Sequence, residues 1–321
     1  MKEFDLIGRY FAGGGHQRKD VLVGIGDDCA VTTVAENQHL AITTDTLVGG
    51  VHFFESAPAK SVAYKAVAVN LSDLAAMGAE PAWISLSLSL PKIDENWLAD
   101  FAEGLYELTR YYSVQLIGGD TVHGPMAMTI TAQGFIPPEN ALKRSTAKPG
   151  DWIYVTGTLG DAGAGLGILS GEIETTAQNR DYLVNRHYFP TPRVAVGTAL
   201  RRTASSCIDI SDGLLADLNH ILKASGCGAT VHVDRLPLSR QLTECLGEGK
   251  AREFALTAGD DYELAFTVNE EQRGHLETSL SSTNVKATCI GQITGHSGKL
   301  ELKLEDAPYP MPSKSGFEHE F

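Results

Sequence analysis

No stretch of this chain holds the roughly 20 consecutive apolar residues that a membrane-spanning helix needs. The opening segment, Met1 to Phe11, is interrupted by Glu3 and Asp5 and lacks the apolar core of a secretory signal. Cysteine is scarce: Cys29, Cys207, Cys227, Cys245 and Cys289 are scattered, odd in number and form no Cys-x-x-Cys pair. That usage argues against a disulfide framework and a zinc site, suits a reducing compartment and places the protein in the cytoplasm. Positive charge is short as well. With 26 Lys and Arg against 40 Asp and Glu the net charge is −14, so neither nucleic acid nor a membrane surface is an expected partner. Phosphate-bearing ligands fit such a chain only where cations stand between. The glycine-rich run Gly157–Gly165 contains neither Gly-x-Gly-x-x-Gly nor Gly-Lys-[Ser/Thr], and its expected role is close helix–strand packing.

What is present reads as an ordinary globular α/β chain, 43% hydrophobic and 21% charged, and its 321 residues suffice for two domains. The first half opens with a short amphipathic helix, Glu3–Ala12, and a flexible polar loop, Gly13–Lys19. Strands are predicted at Val21–Ile25 and His39–Thr43, an apolar helix from Ser61 to Met77 stopped by Gly78, and an alternating strand at Ile84–Leu90. A helix over Asn96–Tyr112 and strands at Val114–Ile117 and Met126–Phe135 follow. The polar stretch from Pro137-Pro138 to Pro149-Gly150 reads as a linker, dividing the chain at 1–138 and 139–321. The second half is expected to hold strands at Trp152–Thr156, Cys207–Ile210, Thr230–Val233 and Glu263–Val268. Helices are expected near Ala162–Leu169, Arg193–Arg202, Leu214–Ala224 and Arg240–Phe254, with paired strands near Lys286–Ile293 and Lys299–Leu304.

Acidic residues recur in short Gly- or Ser/Thr-bearing turns at predicted strand ends: Gly26-Asp27-Asp28, Thr43-Thr44-Asp45-Thr46, Gly118-Gly119-Asp120-Thr121, Asp209-Ile210-Ser211-Asp212-Gly213 and Gly259-Asp260-Asp261. Asp73 joins them from within an apolar helix, one turn after Asn70. Any one such turn is ordinary capping chemistry. Together they would repel one another unless hard cations neutralised them, and Mg²⁺ takes carboxylates, hydroxyls, water and phosphate oxygens. Cys/His clusters that would favour a soft metal do not accompany them. Arg144, between Lys143 and Lys148, is either a solvated linker charge or a fork for a nucleotide phosphate when the domains close. His52 by itself reads as an exposed or hydrogen-bonded histidine.

Taken in order, these segments resemble the thiamine-monophosphate kinase family, within the superfamily of aminoimidazole ribonucleotide synthetase and selenophosphate synthetase. The resemblance runs from Glu3–Phe11 through Gly24–Asp28, Thr43–Val48, His52-Phe53, Asn70–Gly78 and Gly118–Thr121. It continues through Thr156–Gly160, Asp209–Leu214, Gly259–Leu264 and Gly316-Phe317-Glu318-His319. It implies a two-domain, aminoimidazole ribonucleotide synthetase-like α/β (α+β) fold. The N-terminal domain would bind ATP and magnesium and pair in a homodimer, and the C-terminal domain would complete the active site. It further implies that Asp28, Thr43, Thr44, Asp45, Asp73, Asp120, Asp209 and Asp212 serve several Mg²⁺ ions. Gly119, Asp120, Arg144 and Ser211 would contact ATP, and His52, Asp260 and Phe317 thiamine monophosphate. The implied reaction is direct in-line transfer of the ATP γ-phosphate, with no single catalytic side chain. Two departures stand out: Asp260 replaces the family's usual Glu, and Glu320 separates His319 from Phe321, which shifts the register of the tail. A selenophosphate synthetase would carry a reactive Cys in the Gly13–Lys19 loop, and a hydrogenase-maturation relative a C-terminal Cys; neither is found. An aminoimidazole ribonucleotide synthetase-like ligase is the nearest enzymatic alternative, and a non-catalytic acidic module that binds metal or nucleotide is the alternative from another class.

Overall fold

The computed structural model describes residues 3–317, with side chains from Asp5 onward. The tail positions Glu318, His319, Glu320 and Phe321 therefore lie outside the described residues. The chain forms two compact units. One comprises the chain to Leu74 with Ala79–Glu139, the other Ala75–Gly78 with the chain from Asn140.

In the first unit, α1 (Glu3–Leu6) runs into a wider π-type turn over Ile7–Phe11 instead of one regular helix. The loop after it is well held. Gly14 and Gly15 lie against the Tyr106 ring, where a Cβ would come within 2.5 and 2.9 Å of it. The Arg18 amide donates to Gln115 Oε1 at 2.7 Å, and its guanidinium pairs with Asp20 at 2.6 Å. A small ribbon, β1 (Val21–Val23) with β2 (Val31–Thr32), precedes a four-stranded sheet. Its strands are β3 (His39–Val48), β4 (Glu80–Leu90), β5 (Gln115–His123) and β6 (Ala127–Ile136), in the order β3-β6-β4-β5. Only β4 and β5 are parallel.

Two segments expected to turn stay in the sheet. The β3–β6 ladder runs unbroken from His39 to Val48, so Thr43–Thr46 is strand. β5 likewise continues through Gly118-Gly119-Asp120-Thr121 alongside Ser85–Leu88 of β4. A Cβ on Gly119 (φ +152°) would lie 1.8 Å from the Leu86 carbonyl oxygen. This glycine therefore serves a close strand–strand approach, which from sequence alone looks like a turn signal.

One face of the sheet is apolar and buried, through Ile84, Leu86 and Leu88 of β4 and Met128, Ile130 and Ala132 of β6. α2 (Ala59–Ala76) lies over it and is buried almost all round, through Val62, Ala63, Val67, Leu71 and Leu74, as expected of a core helix. α3 (Glu95–Tyr111) is amphipathic and starts where Asp94 accepts from the amides of Asn96 and Trp97.

The second unit is built on a seven-stranded sheet. Its strands are β7 (Trp152–Thr156), β8 (Ser206–Asp209), β9 (Gly228–His232), β10 (Leu264–Val268), β11 (Ala287–Thr294), β12 (Leu300–Leu304) and β13 (Ala307–Pro308). The order is β13-β12-β9-β11-β7-β10-β8. The expected pairing of the strands near Lys286–Ile293 and Lys299–Leu304 is therefore wrong: β9 lies between them, antiparallel to β11 and parallel to β12. Gly228 permits it. A Cβ there would fall 2.2 Å from the His296 carbonyl and 2.5 Å from that of Lys299, so the connection passes directly over the start of β9.

The helices are α4 (Asp161–Leu169), α5 (Ala177–Tyr188), α6 (Val194–Leu200), α7 (Leu214–Ser225), α8 (Arg240–Thr257) and α9 (Glu270–Leu280). α5 and α9 have almost no apolar periodicity and were not expected. Each is nonetheless marked by a cap, Thr176 accepting from the Asn179 amide and Asn269 from that of Gln272. α7 packs its Leu214, Leu215, Leu218, Ile221 and Leu222 against Ile153, Val155, Ile208 and Val231 of the sheet.

Candidate functional site

In the first unit β3 and α2 bring acids together. Thr43 and Asp45 alternate onto the same face of β3, and the Thr43 hydroxyl donates to Asp73 Oδ2 on α2. Burial first, and then the neighbouring Asp73 charge, push the Asp45 carboxyl up to about 6. Asn70, one turn before Asp73, is fully buried; its amide donates to the Ala66 carbonyl, while its Oδ1 has no partner. These are oxygen donors with like charges in a partly desolvated place, and that is the donor set of a hard divalent cation such as Mg²⁺. Asp45, Asp73 and Thr43 would hold it.

The other residues expected in this unit are placed differently. Thr44 points to the opposite sheet face, where its hydroxyl meets that of Thr131 at 3.0 Å. Asp120 pairs in register with Ser87, which pairs with Thr129 and so shares the face of Thr44 and Thr46. Gly119 pairs with Leu86. Asp28 is exposed, and its amide donates to Asp27 Oδ1 at 2.9 Å. His52 is fixed in a turn after β3, its amide bonded to the Val48 carbonyl and its Nδ1 accepting from the Val48 amide at 3.1 Å. When neutral, the ring thus carries its proton on Nε2.

The second unit interlocks its expected residues through the backbone. Asp209 ends β8, buried and paired with Leu264. The Ser211-Asp212-Gly213 loop leads from it into α7. The Asp260 amide donates to the Ser211 carbonyl at 2.8 Å, and the Phe317 amide to the Asp212 carbonyl at 3.0 Å, leaving the Phe317 side chain 54% exposed. Asp260 (φ +69°) and Tyr262 (φ +50°) both adopt left-handed backbone, uncommon for non-glycine residues and here part of the tight turn after Gly259. The Tyr262 hydroxyl donates to Asp260 at 3.3 Å, and His187 Nδ1 is 3.5 Å from its other oxygen. Arg144 begins a short 3₁₀ turn, Arg144–Thr146. Its carbonyl accepts from Ser225 at 2.8 Å, and its side chain is exposed.

Sequence reasoning missed several groups. Asp217 lies with Asp212 and His220, their ligand atoms all within 4.8 Å. Burial first, and then Asp212, raise its carboxyl to about 7. An acid in the first turn of a helix, just after Asp-Gly, was the available signal. Behind the Asp260 turn, fully buried Glu263 accepts from Arg193 Nε at 2.6 Å, Arg186 at 3.0 Å and the Thr156 hydroxyl at 2.6 Å. Burial works to raise its pKa, but Arg193 and Arg186 outweigh that and hold it below the usual glutamate range. Nearby Asp261 accepts from the amides of Gly160 and Ala162, and burial, followed by the Asp161 charge, raises it to about 8.

The chain matches the family models of AIR synthase related proteins, the N-terminal domain over residues 26–136 and the C-terminal domain over residues 148–303. It is 51% identical over 318 residues to the thiamine-monophosphate kinase of Salmonella typhimurium, spanning 99% of this chain and 98% of that one. Its fold matches the crystal structure of thiamine-monophosphate kinase from Stenotrophomonas maltophilia with a TM-score of 0.85 and 43% identity, over 91% of this chain and 93% of that one. It also matches AaThiL complexed with AMPPCP and TMP, with a TM-score of 0.79 and 31% identity over 92% of each chain.

Proposed function

Because this chain belongs to the thiamine-monophosphate kinase family, within the AIR synthase related proteins, we propose that it transfers the γ-phosphate of ATP to thiamine monophosphate. The observation that carries this reading is the 51% identity across 99% of the chain. The solved complex of a family member with an ATP analogue and TMP supports it. Thiamine monophosphate attacks through a phosphate oxygen. Its second pKa is about 6, so much of it is dianionic at neutral pH and no general base is needed. What the protein must do is align two polyanions in line and offset their charge. In this reading Thr43, Asp45 and Asp73 would hold magnesium on the α2 side of the first sheet, Thr44 and Asp120 would serve a separate ion on its other face, and Asp28, Asp209 and Asp212 would serve further ions. When bound, magnesium supplies charge neutralisation for the phosphates. Gly119, Asp120, Arg144 and Ser211 face ATP in this reading, and His52, Asp260 and Phe317 face thiamine monophosphate. His52 offers its Nε2–H, and Phe317 offers a ring face to the cationic thiazolium.

The test is incubation with MgATP and thiamine monophosphate. ADP and thiamine diphosphate are expected in equal amounts, and ATP hydrolysis without thiamine diphosphate would overturn the reading. The rate is expected to keep rising with Mg²⁺ after ATP itself is saturated, because the carboxylates outnumber what one MgATP can use. A curve that follows the MgATP concentration alone would remove the protein-bound ions.

The chain acts in the cytoplasm in this reading; among the described residues no helix is long and apolar enough to cross a membrane. It also pairs with a second copy through the first unit. Leu40 and Ile42 of β3 and Val122 of β5 are 40%, 62% and 48% exposed. All lie on the sheet face opposite α2, an apolar set that a twin sheet would cover. Light scattering at micromolar concentration should report a dimer for the native chain and a monomer for Ile42→Lys. A native monomer would exclude the pairing.

A further inference from the structure

The three consecutive amides of Ser211, Asp212 and Gly213 converge on one carboxylate oxygen. Asp217 Oδ2 accepts from them at 3.0, 3.1 and 3.1 Å. Asp217 is 3% exposed and sits in the first turn of α7, where the helix dipole favours its charge. Successive backbone N–H groups curled in this way form a nest, a shape that elsewhere receives a phosphate oxygen. Here the nest is filled from within the chain. No ligand phosphate can use those amides, and what the loop presents instead is the Ser211 hydroxyl and the Asp212 carboxylate. The loop is gripped from other sides too. Asp260 and Phe317 bond its carbonyls. Gly213 (φ +127°) packs where a Cβ would meet the Thr257 carbonyl at 2.7 Å. Besides those backbone contacts, Asp217 is the side chain that takes the three amides at the centre of the turn.

We propose that Asp217 is a positioning residue: it locks the Ser211-Asp212-Gly213 loop in the conformation that serves nucleotide and magnesium, without touching either. The proposal rests on the kinase reading for the roles of Ser211 and Asp212. It competes with a direct role, since Asp217, Asp212 and His220 also lie close enough to share a cation. The two differ in what Asn does at this position. An Asn side-chain oxygen still accepts from the three amides but brings no charge and binds a cation more weakly than a carboxylate, so it preserves a positioning role and weakens a ligand role.

The experiment compares full-length native protein, Asp217→Asn and Asp217→Ala. Hydrogen exchange of the peptide around Ser211–Gly213 is followed by mass spectrometry, magnesium–AMPPCP affinity by calorimetry, and the KM values for ATP and thiamine monophosphate by assay. Asp217→Ala is expected to speed exchange and to weaken nucleotide binding and the KM for ATP by about 10- to 100-fold, as loss of an orienting partner behind a site does. The KM for thiamine monophosphate should stay within about threefold of native, and Asp217→Asn should restore exchange protection and most of the affinity. An Asn variant as impaired as Ala would make Asp217 a ligand. An Ala variant with faster exchange but native nucleotide affinity, or with only a lower melting temperature, would reduce it to a helix cap. A native protein that binds magnesium–AMPPCP but makes no thiamine diphosphate would overturn the kinase reading alone. One that does not bind the nucleotide would overturn the positioning role.

Discussion

Asp45→Asn is expected to lower kcat by about 10²- to 10³-fold or more, the scale on which loss of one preorganised electrostatic partner is felt, while leaving the metal-free protein at least as stable as before. Asp45 is partly buried beside Asp73, and its carboxyl is raised to about 6 from an ordinary 3.8. The folded chain thus holds a proton more tightly than the unfolded one. Below the unfolded value both states are protonated and nothing is lost. As pH rises from 3.8 toward 6 the unfolded chain ionises while the folded one still holds its proton, so stability falls, and at pH 7 the loss is nearly complete. Replacing the acid by its neutral isostere removes it. A gain of roughly 1–2 kcal/mol is expected, below the roughly 1.4 kcal/mol per pK unit because the group is partly solvated. Asp73→Asn should behave alike in turnover. Melting without metal and the rate at saturating Mg²⁺ are the two measurements. A variant that keeps most of the native kcat would remove Asp45 from the site, and one that melts well below native without metal would make its role structural.

Glu263→Ala is expected to lower stability by about 3–5 kcal/mol, the cost of leaving a buried ionic partner uncompensated. Two guanidinium groups, from Arg193 and Arg186, converge on this carboxylate, together with the Thr156 hydroxyl. Gly157 (φ +59°) lets the carboxylate in; a Cβ there would stand 2.1 Å from Glu263 Oε1. At roughly 2–4 °C per kcal/mol for a domain of this size, the melting temperature of the second unit should fall by about 6–20 °C. Glu263→Gln should fall between Ala and native, because it keeps an oxygen for Arg193 but no charge. Calorimetry decides: an Ala variant melting within about 2 °C of native would mean that the two arginines find water or another acid when the glutamate is gone.

The readable part of this protein was its local chemistry. Short polar segments carrying Asp45, Asp73, Asp209, Asp212 and Asp260 were visible because their residue types are rare in apolar surroundings. What sequence could not give was whatever depends on a distant partner. Gly118-Gly119-Asp120-Thr121 reads as a turn until Leu86 of β4 is known to press against Gly119. Thr44 and Asp45 are neighbours in sequence but face opposite sides of β3, a consequence of the strand running on to Val48. α5 and α9 bury little, so the apolar period that marks α3 is missing, and only Thr176 and Asn269 announced them. Glu263 looked like the start of a strand; its meaning comes from Arg186 and Arg193, some seventy residues away.

The order of strands in the second unit also sets a timetable for synthesis. β7 ends at Thr156, but its two neighbours in the sheet begin only at Leu264 and Ala287. At about 5–20 residues per second, β7 leaves the ribosome roughly 5–25 s before either neighbour exists. β9 waits likewise for β11 on one side and β12 on the other. During that interval Ile153, Val155, Val231 and the apolar side of α7 belong to no finished core. The last strands to emerge are thus the ones that close the sheet, and the second unit is completed only when its C-terminal strands are in hand.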